Sequence, residues 1–241
     1  MAMLAAAALL AAGCTSSSQT APNGHSTSSP GPPAGSGPFG GRTPDGVQLG
    51  QLLKQAHLPA GWEQQTGTSP EQDTGPSLQP AAGPQPSDEG CSNVNGSAQA
   101  LYFTNWWSVS NATLSIQGTQ ASSALNQAII DLTIAAYQPA VDAGKTLSMA
   151  AHVAASCASF TDSTGGKVTV KSAPGPHIGS QSLYIQATEQ TDSGPIVAQV
   201  LLAQVGSYVI GVDTNNATSA DISQATVESV GSWLAGLVHS G

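Results

Sequence analysis

The sequence predicts an α+β fold, a single domain with a twisted antiparallel sheet and amphipathic helices packed mainly on one face. Three observations predict it. The C-terminal half alternates short apolar–polar runs with Gly- and Pro-rich turns, and connections that short favour antiparallel pairing. Upstream of it, apolar residues recur at helical spacing. Long Ser-, Gly- and Pro-rich stretches confine the residues able to build a core to about 47–241.

In that region Leu49, Leu52 and Leu53 share one face of a short helix that ends before Pro59, and Leu58-Pro59-Ala60-Gly61-Trp62 reads as a turn with an aromatic anchor. Residues 64–90 are rich in Pro and Gly without apolar periodicity, which predicts a flexible loop. Residues 98–107 and 112–117 then read as a hairpin. A helix is expected over Gln120–Val141, because Leu125, Ile129, Leu132 and Ala136 follow a four-three-four spacing. A second follows Gly144, with Leu147, Ala150, Ala151, Ala154, Cys157 and Ala158 on a face of mostly small residues. Strands are expected at 167–171, 182–190, 196–204 and 208–213. Thr218-x-x-Asp221 resembles a capping box that opens a last helix, lined by Ile222, Thr226, Val230, Trp233 and Leu237.

The N-terminus carries different information. Leu4–Ala12 is an apolar run of signal-peptide length, well short of the roughly 20 residues of a spanning helix. It ends in Ala11-Ala12-Gly13-Cys14, which looks like a bacterial lipobox, although Ala11 stands where the pattern prefers Leu and no basic residue precedes the run. The expected organisation is a start-truncated lipoprotein signal peptide at 1–13, then a lipidated Cys14 and a disordered Ser/Thr/Gly/Pro tether at 14–46, then the domain at 47–241. The tether spans about 30 Å as a random coil. The expected location is the cell membrane, lipid-anchored and facing the extracytoplasmic side, with the membrane itself as a partner.

Only 8% of residues are charged, and five Lys and Arg against fourteen Asp and Glu leave a net charge of −9. Nucleic acid is not an expected partner, since phosphate contacts need clustered cations. With Cys14 acylated, Cys91 and Cys157 remain as an even pair in an oxidising compartment. One disulfide is the natural reading, worth roughly 4 kcal/mol by loop closure. A reactive thiol or a metal site is the competing reading, and neither cysteine has a Lys, an Arg or a second Cys close in sequence.

The order Leu58-Pro59-Ala60-Gly61-Trp62, Cys91, Ala154-Ala155-Ser156-Cys157-Ala158-Ser159-Phe160, His177-Ile178-Gly179-Ser180-Gln181-Ser182 and Gln204-Val205-Gly206-Ser207-Tyr208-Val209-Ile210 resembles that of actinobacterial sensor-domain lipoproteins. These are similar to the extracellular sensor domain of the mycobacterial serine/threonine protein kinase H. The resemblance implies an α+β fold with a cleft beside the sheet that takes an unidentified ligand. It implies a second disulfide in the kinase sensor for which this chain has no cysteines.

No catalytic, metal or cofactor site is expected. The G-x-S-x-G pattern is absent, the five His residues are scattered singly, and the adjacent Asp88-Glu89 falls in the predicted loop. The remaining chemistry is binding. Tyr102, Trp106, Trp107, Tyr184 and Tyr208 are the candidate ligand contacts, because on a pleated strand Trp106 and Trp107 point to opposite faces and one indole is left to stack on a sugar or an apolar ligand. The expected function is binding of a small molecule, glycan or lipid by a surface lipoprotein, which predicts an aromatic-lined cleft. An envelope adaptor would instead show a flat apolar patch. A hydrolase would need His152 or His177 within reach of a Ser and an acid.

Overall fold

The computed structural model describes residues 38–67, 70–73, 91, 94, 99–119, 128–162, 164–214 and 222–239. These belong to one compact unit, Gly35–Gly241. The predicted signal peptide, Cys14, nearly all of the tether, most of the 64–90 loop, residues 120–127 and the Thr218/Asp221 capping box lie outside the described residues.

Helix α1 (Gly46–Gln55) starts at a capping box: the Asp45 side chain accepts from the Gln48 N–H at 2.8 Å, and the Gln48 side chain accepts from the Asp45 N–H at 3.0 Å. Its Leu49 and Leu53 are fully buried. Strands β1 (Trp62–Gln64) and β2 (Glu71–Asp73) both pair with β3 (Ser108–Gly118), so the predicted loop contributes a short strand to the sheet. Helix α2 (Gln99–Thr104) precedes β3, and β4 (Ile129–Tyr137) follows it. Helix α3 (Val141–Ser156) leads to β5 (Ser159–Thr161), β6 (Lys167–Pro174), β7 (Gln181–Thr191), β8 (Gly194–Val205), β9 (Tyr208–Thr214) and helix α4 (Gln224–His239).

Among the described residues the nine strands form one antiparallel sheet in the order β1-β3-β4-β9-β8-β7-β6-β5, with β2 beside β1 on the same edge of β3. The meander β6–β9 forms as the alternation predicts. Its last strand then joins the β3–β4 hairpin, with Ile134 opposite Ile210.

Three expectations are corrected. The helix predicted over Gln120–Val141 is strand β4 at 129–137. Ile130, Leu132, Ile134 and Ala136 face one core while Ala135 and Tyr137 face the other. A strand buried on both sides reads as a nearly unbroken apolar run, and such a run matches helical spacing by accident. The strand predicted over 98–107 is instead α2 and a turn. The Ala100 N–H donates to the buried Asp213 carboxylate at 3.3 Å, which puts an acceptor at the positive end of the helix, and Tyr137 Oη donates to the Thr104 carbonyl at 2.6 Å. These tertiary partners outweigh the β-propensity of Tyr102, Phe103 and Trp106.

The third correction concerns the layers. The helices divide between both faces of the sheet and do not gather mainly on one. Helices α1 and α4 pack with Leu114, Leu132, Leu201 and Val212; α2 and α3 pack with Ala135, Leu202, Val200 and Ile185. The alternating residues of β8 separate the two cores. On α4 the inward row is Val227, Val230, Leu234 and Val238, with Trp233 and Leu237 on its flank. Of the small-residue face predicted after Gly144, Leu147, Ala150, Ala154 and Cys157 are buried, Ala151 is half-buried and Ala158 is exposed beyond the helix, which begins earlier, at Val141.

Candidate functional site

Cys91 and Cys157 form the expected disulfide, with their Cα atoms 5.4 Å apart. Cys157 is the C-cap of α3, so the bridge ties residue 91 to the core between α3 and the sheet. Cys14 lies outside the described residues.

The aromatic candidates do not form one site. Tyr102, Trp106 and Trp107 lie on the α2/α3 side, while Tyr184 and Tyr208 belong to the α1/α4 side. The buried Trp106 ring meets Tyr102 and Phe103 edge-on, with centroids 5.1 and 5.5 Å away. Tyr184 is buried and donates its phenol hydrogen to Gln199 Oε1. Burial, followed by the negative charge of Glu228, pushes its pKa up to about 12. Burial also raises the phenols of the half-buried Tyr102 and Tyr208. Thus Trp106 and Tyr184 lie buried in the two cores, and Tyr208 is half-buried against the α1/α4 core. Trp106 and Trp107 do not alternate on a strand as expected, because both sit in the turn between α2 and β3.

Trp107 is the exception among the aromatics. Alone among the described non-glycine residues it has a left-handed backbone, φ +60°, a conformation that costs energy for a side chain this large. Two features of the neighbouring residues flank it. Thr146 on α3 donates its hydroxyl to the Trp106 carbonyl at 2.9 Å inside the core, and the β3–β4 register shifts between Ser108 and Ser110. A bulge beside a pinned carbonyl re-aims the next side chain. The half-buried indole packs against the α2/α3 core and borders a groove of about 710 Å³ between Trp107, the outer side of α3 and Gln181 at the start of β7.

The helix wall of the groove follows from periodicity. Ala143, Leu147, Ala150 and Ala154 face the sheet, so Val141, Lys145, Ser148 and His152, at i, i+4, i+7 and i+11, form the outer row. Met149 borders the same row. Val141 is 61% exposed. Lys145 Nζ lies 2.5 Å from Asp142 Oδ1, with the lysine side chain 57% and the aspartate 15% exposed, so the ammonium is the outward partner. Lys145, Ser148 and Met149 belong to no motif of the sequence, Gln181 enters only through the resemblance, and His152 only as a residue that a hydrolase would need. The outer-row spacing on α3 was the available signal.

A second cleft of about 520 Å³ lies between the His177–Ser180 loop, the Val205-Gly206 turn and the end of α4, with His177 and His239 on its walls. The loop rests on β8 through the Ser180 N–H, which donates to the Gln204 carbonyl at 2.9 Å. Gly179, at φ +65°, is required there because a Cβ would lie 1.9 Å from the Gln204 carbonyl oxygen.

Among the described residues no three His, Cys, Asp or Glu side chains are grouped to hold a metal ion, and no described helix is long and apolar enough to cross a membrane. No protein-family model matches the chain, and no curated protein matches its sequence.

Proposed function

We propose that this chain is a membrane-anchored extracytoplasmic lipoprotein whose sensor-like domain binds a small molecule, glycan or lipid in the groove beside Trp107, without catalysing its conversion. The observation that carries the reading is a half-buried indole held in a costly backbone conformation at the wall of a groove of about 710 Å³. That volume lies within the range of roughly 300–1,000 Å³ usual for ligand pockets. Such strain persists where the surrounding structure enforces it, and it clusters at ligand-binding positions. The Ala11–Cys14 motif, the even cysteine pair and the resemblance to actinobacterial sensor-domain lipoproteins support the anchor and the compartment.

The adaptor reading has less behind it. Among the described residues Val47 and Val141 are the large hydrophobic residues most exposed, and they lie on different helices, whereas a broad apolar patch would favour an adaptor. Titration of the full chain with a panel of glycans, amphiphiles and small metabolites, followed by the tryptophan emission of wild type and Trp107→Ala, tests the binding site. Saturation that disappears in the variant is expected, and saturation unaffected by it would remove the Trp107 site. A Cys14→Ala chain should move from the membrane fraction to the medium or remain unprocessed. Unchanged membrane association would count against the lipid anchor.

A further inference from the structure

Beyond the location of the site, the structure carries an inference about the chemistry of what fills it, resting on the reading that the Trp107 groove is a binding site. We infer that the groove takes an anionic amphiphile: an apolar chain lies along Trp107, Val141 and Met149, and an oxyanion headgroup, carboxylate or phosphate, pairs with Lys145.

Charge singles out this groove. The protein carries a net charge of −9 and only five Lys and Arg, so a cation beside an apolar surface is uncommon on it. In the groove Lys145 and His152 stand on the same row of α3 as Val141. The Lys145 ammonium uses one donor on Asp142 and has three in all, which leaves two for a ligand oxygen. Asp142 is the less exposed member of the pair, so it holds the ammonium from behind and leaves its outer side open to an anion.

The apolar part has a matching wall. Val141 is 61% exposed, Met149 supplies a deformable thioether, and Trp107 presents an indole that stacks on aliphatic or ring carbons alike. Val141 and Met149 lie about 12 Å apart along the helix with Lys145 midway between them, so the headgroup meets the wall at its middle and the chain runs from there past Trp107. Ser148 does not compete for the headgroup in this arrangement, because its hydroxyl donates back to the Gly144 carbonyl at 3.0 Å.

The test is calorimetric titration of the full-length Cys14→Ala chain with decanoate, decyl phosphate, decyl maltoside and decyltrimethylammonium, each below its micellar concentration. Decanoate and decyl phosphate are expected to bind at least tenfold more tightly than the neutral and cationic amphiphiles, and the comparison between them separates carboxylate from phosphate. Lys145→Gln should weaken both anions about tenfold, or about 1.4 kcal/mol, and leave decyl maltoside unchanged. Lys171→Gln, on strand β6, should change nothing. Val141→Glu alters only an exposed wall residue and should lower anion affinity even if Trp107→Ala proves unstable. Equal affinity for decyl maltoside, or an unaltered Lys145→Gln, overturns the anionic headgroup and leaves the binding site standing. Failure of all four amphiphiles to bind overturns the amphiphile; if the glycan and metabolite panel also shows no Trp107-dependent saturation, the site itself falls.

Discussion

Trp107 is the one described non-glycine residue with a left-handed backbone. Its left-handed φ of +60° stores about 1–3 kcal/mol, which Trp107→Gly would release while losing the packing of a half-buried indole. The two effects oppose each other. Chemical denaturation should therefore show a stability change within about 1 kcal/mol, with binding in the groove abolished. A large loss of stability would mean that the indole is chiefly a packing residue. Tyr184 makes a prediction about pH. Its pKa is raised from 10 to about 12 by burial and by Glu228, so the folded state holds the phenol proton more tightly than the unfolded state does. That contribution is fully present below pH 10 and is lost as pH rises through 12. Denaturant midpoints of wild type should fall across this window more steeply than those of Tyr184→Phe.

At the scale of elements, α2 is the segment most dependent on its surroundings. It packs so closely on β9 that a Cβ on Gly211 would lie 2.7 Å from the Ala100 Cβ. Gly211→Ala should cost about 1–3 kcal/mol by overpacking, and Ala100→Gly should recover part of that loss. A double-mutant cycle with no coupling between the two would contradict the contact. The same helix forms against its local sequence pattern. Aromatic residues at 102, 103, 106 and 107 resemble a strand, whereas the buried acceptor on Asp213 and the Tyr137 hydroxyl favour a turn of helix there. Strand β4 fails in the opposite direction, because a central strand covered on both faces has lost the alternation that identifies strands. By contrast, β6 keeps Val168 and Val170 buried between exposed neighbours, and its strand is readable directly.

For the whole molecule, the bridge between Cys91 and Cys157 closes a loop that spans α2, β3, β4 and α3. Replacing both cysteines with Ala should lower stability by about 2–4 kcal/mol, read as a lower melting temperature with retained β-sheet circular dichroism. An unchanged melting temperature would show that the bridge constrains little. The β6–β9 meander and the inward row of α3 are determined by the sequence itself, since period-two alternation and helical spacing are local properties, and the even count left once Cys14 is set aside points to the pairing without fixing it. Tertiary structure decided the rest. The strand character of 129–137 depends on β3 and β9 lying on either side, and the helix at 99–104 on Asp213 and Tyr137. The layering depends on β9 returning to the centre of the sheet, which leaves two faces to cover. The groove was decided at the same level. Trp107, the outer row of α3 and Gln181 come from three separate stretches of chain, and their meeting is set by how α3 crosses the sheet, which no local pattern records.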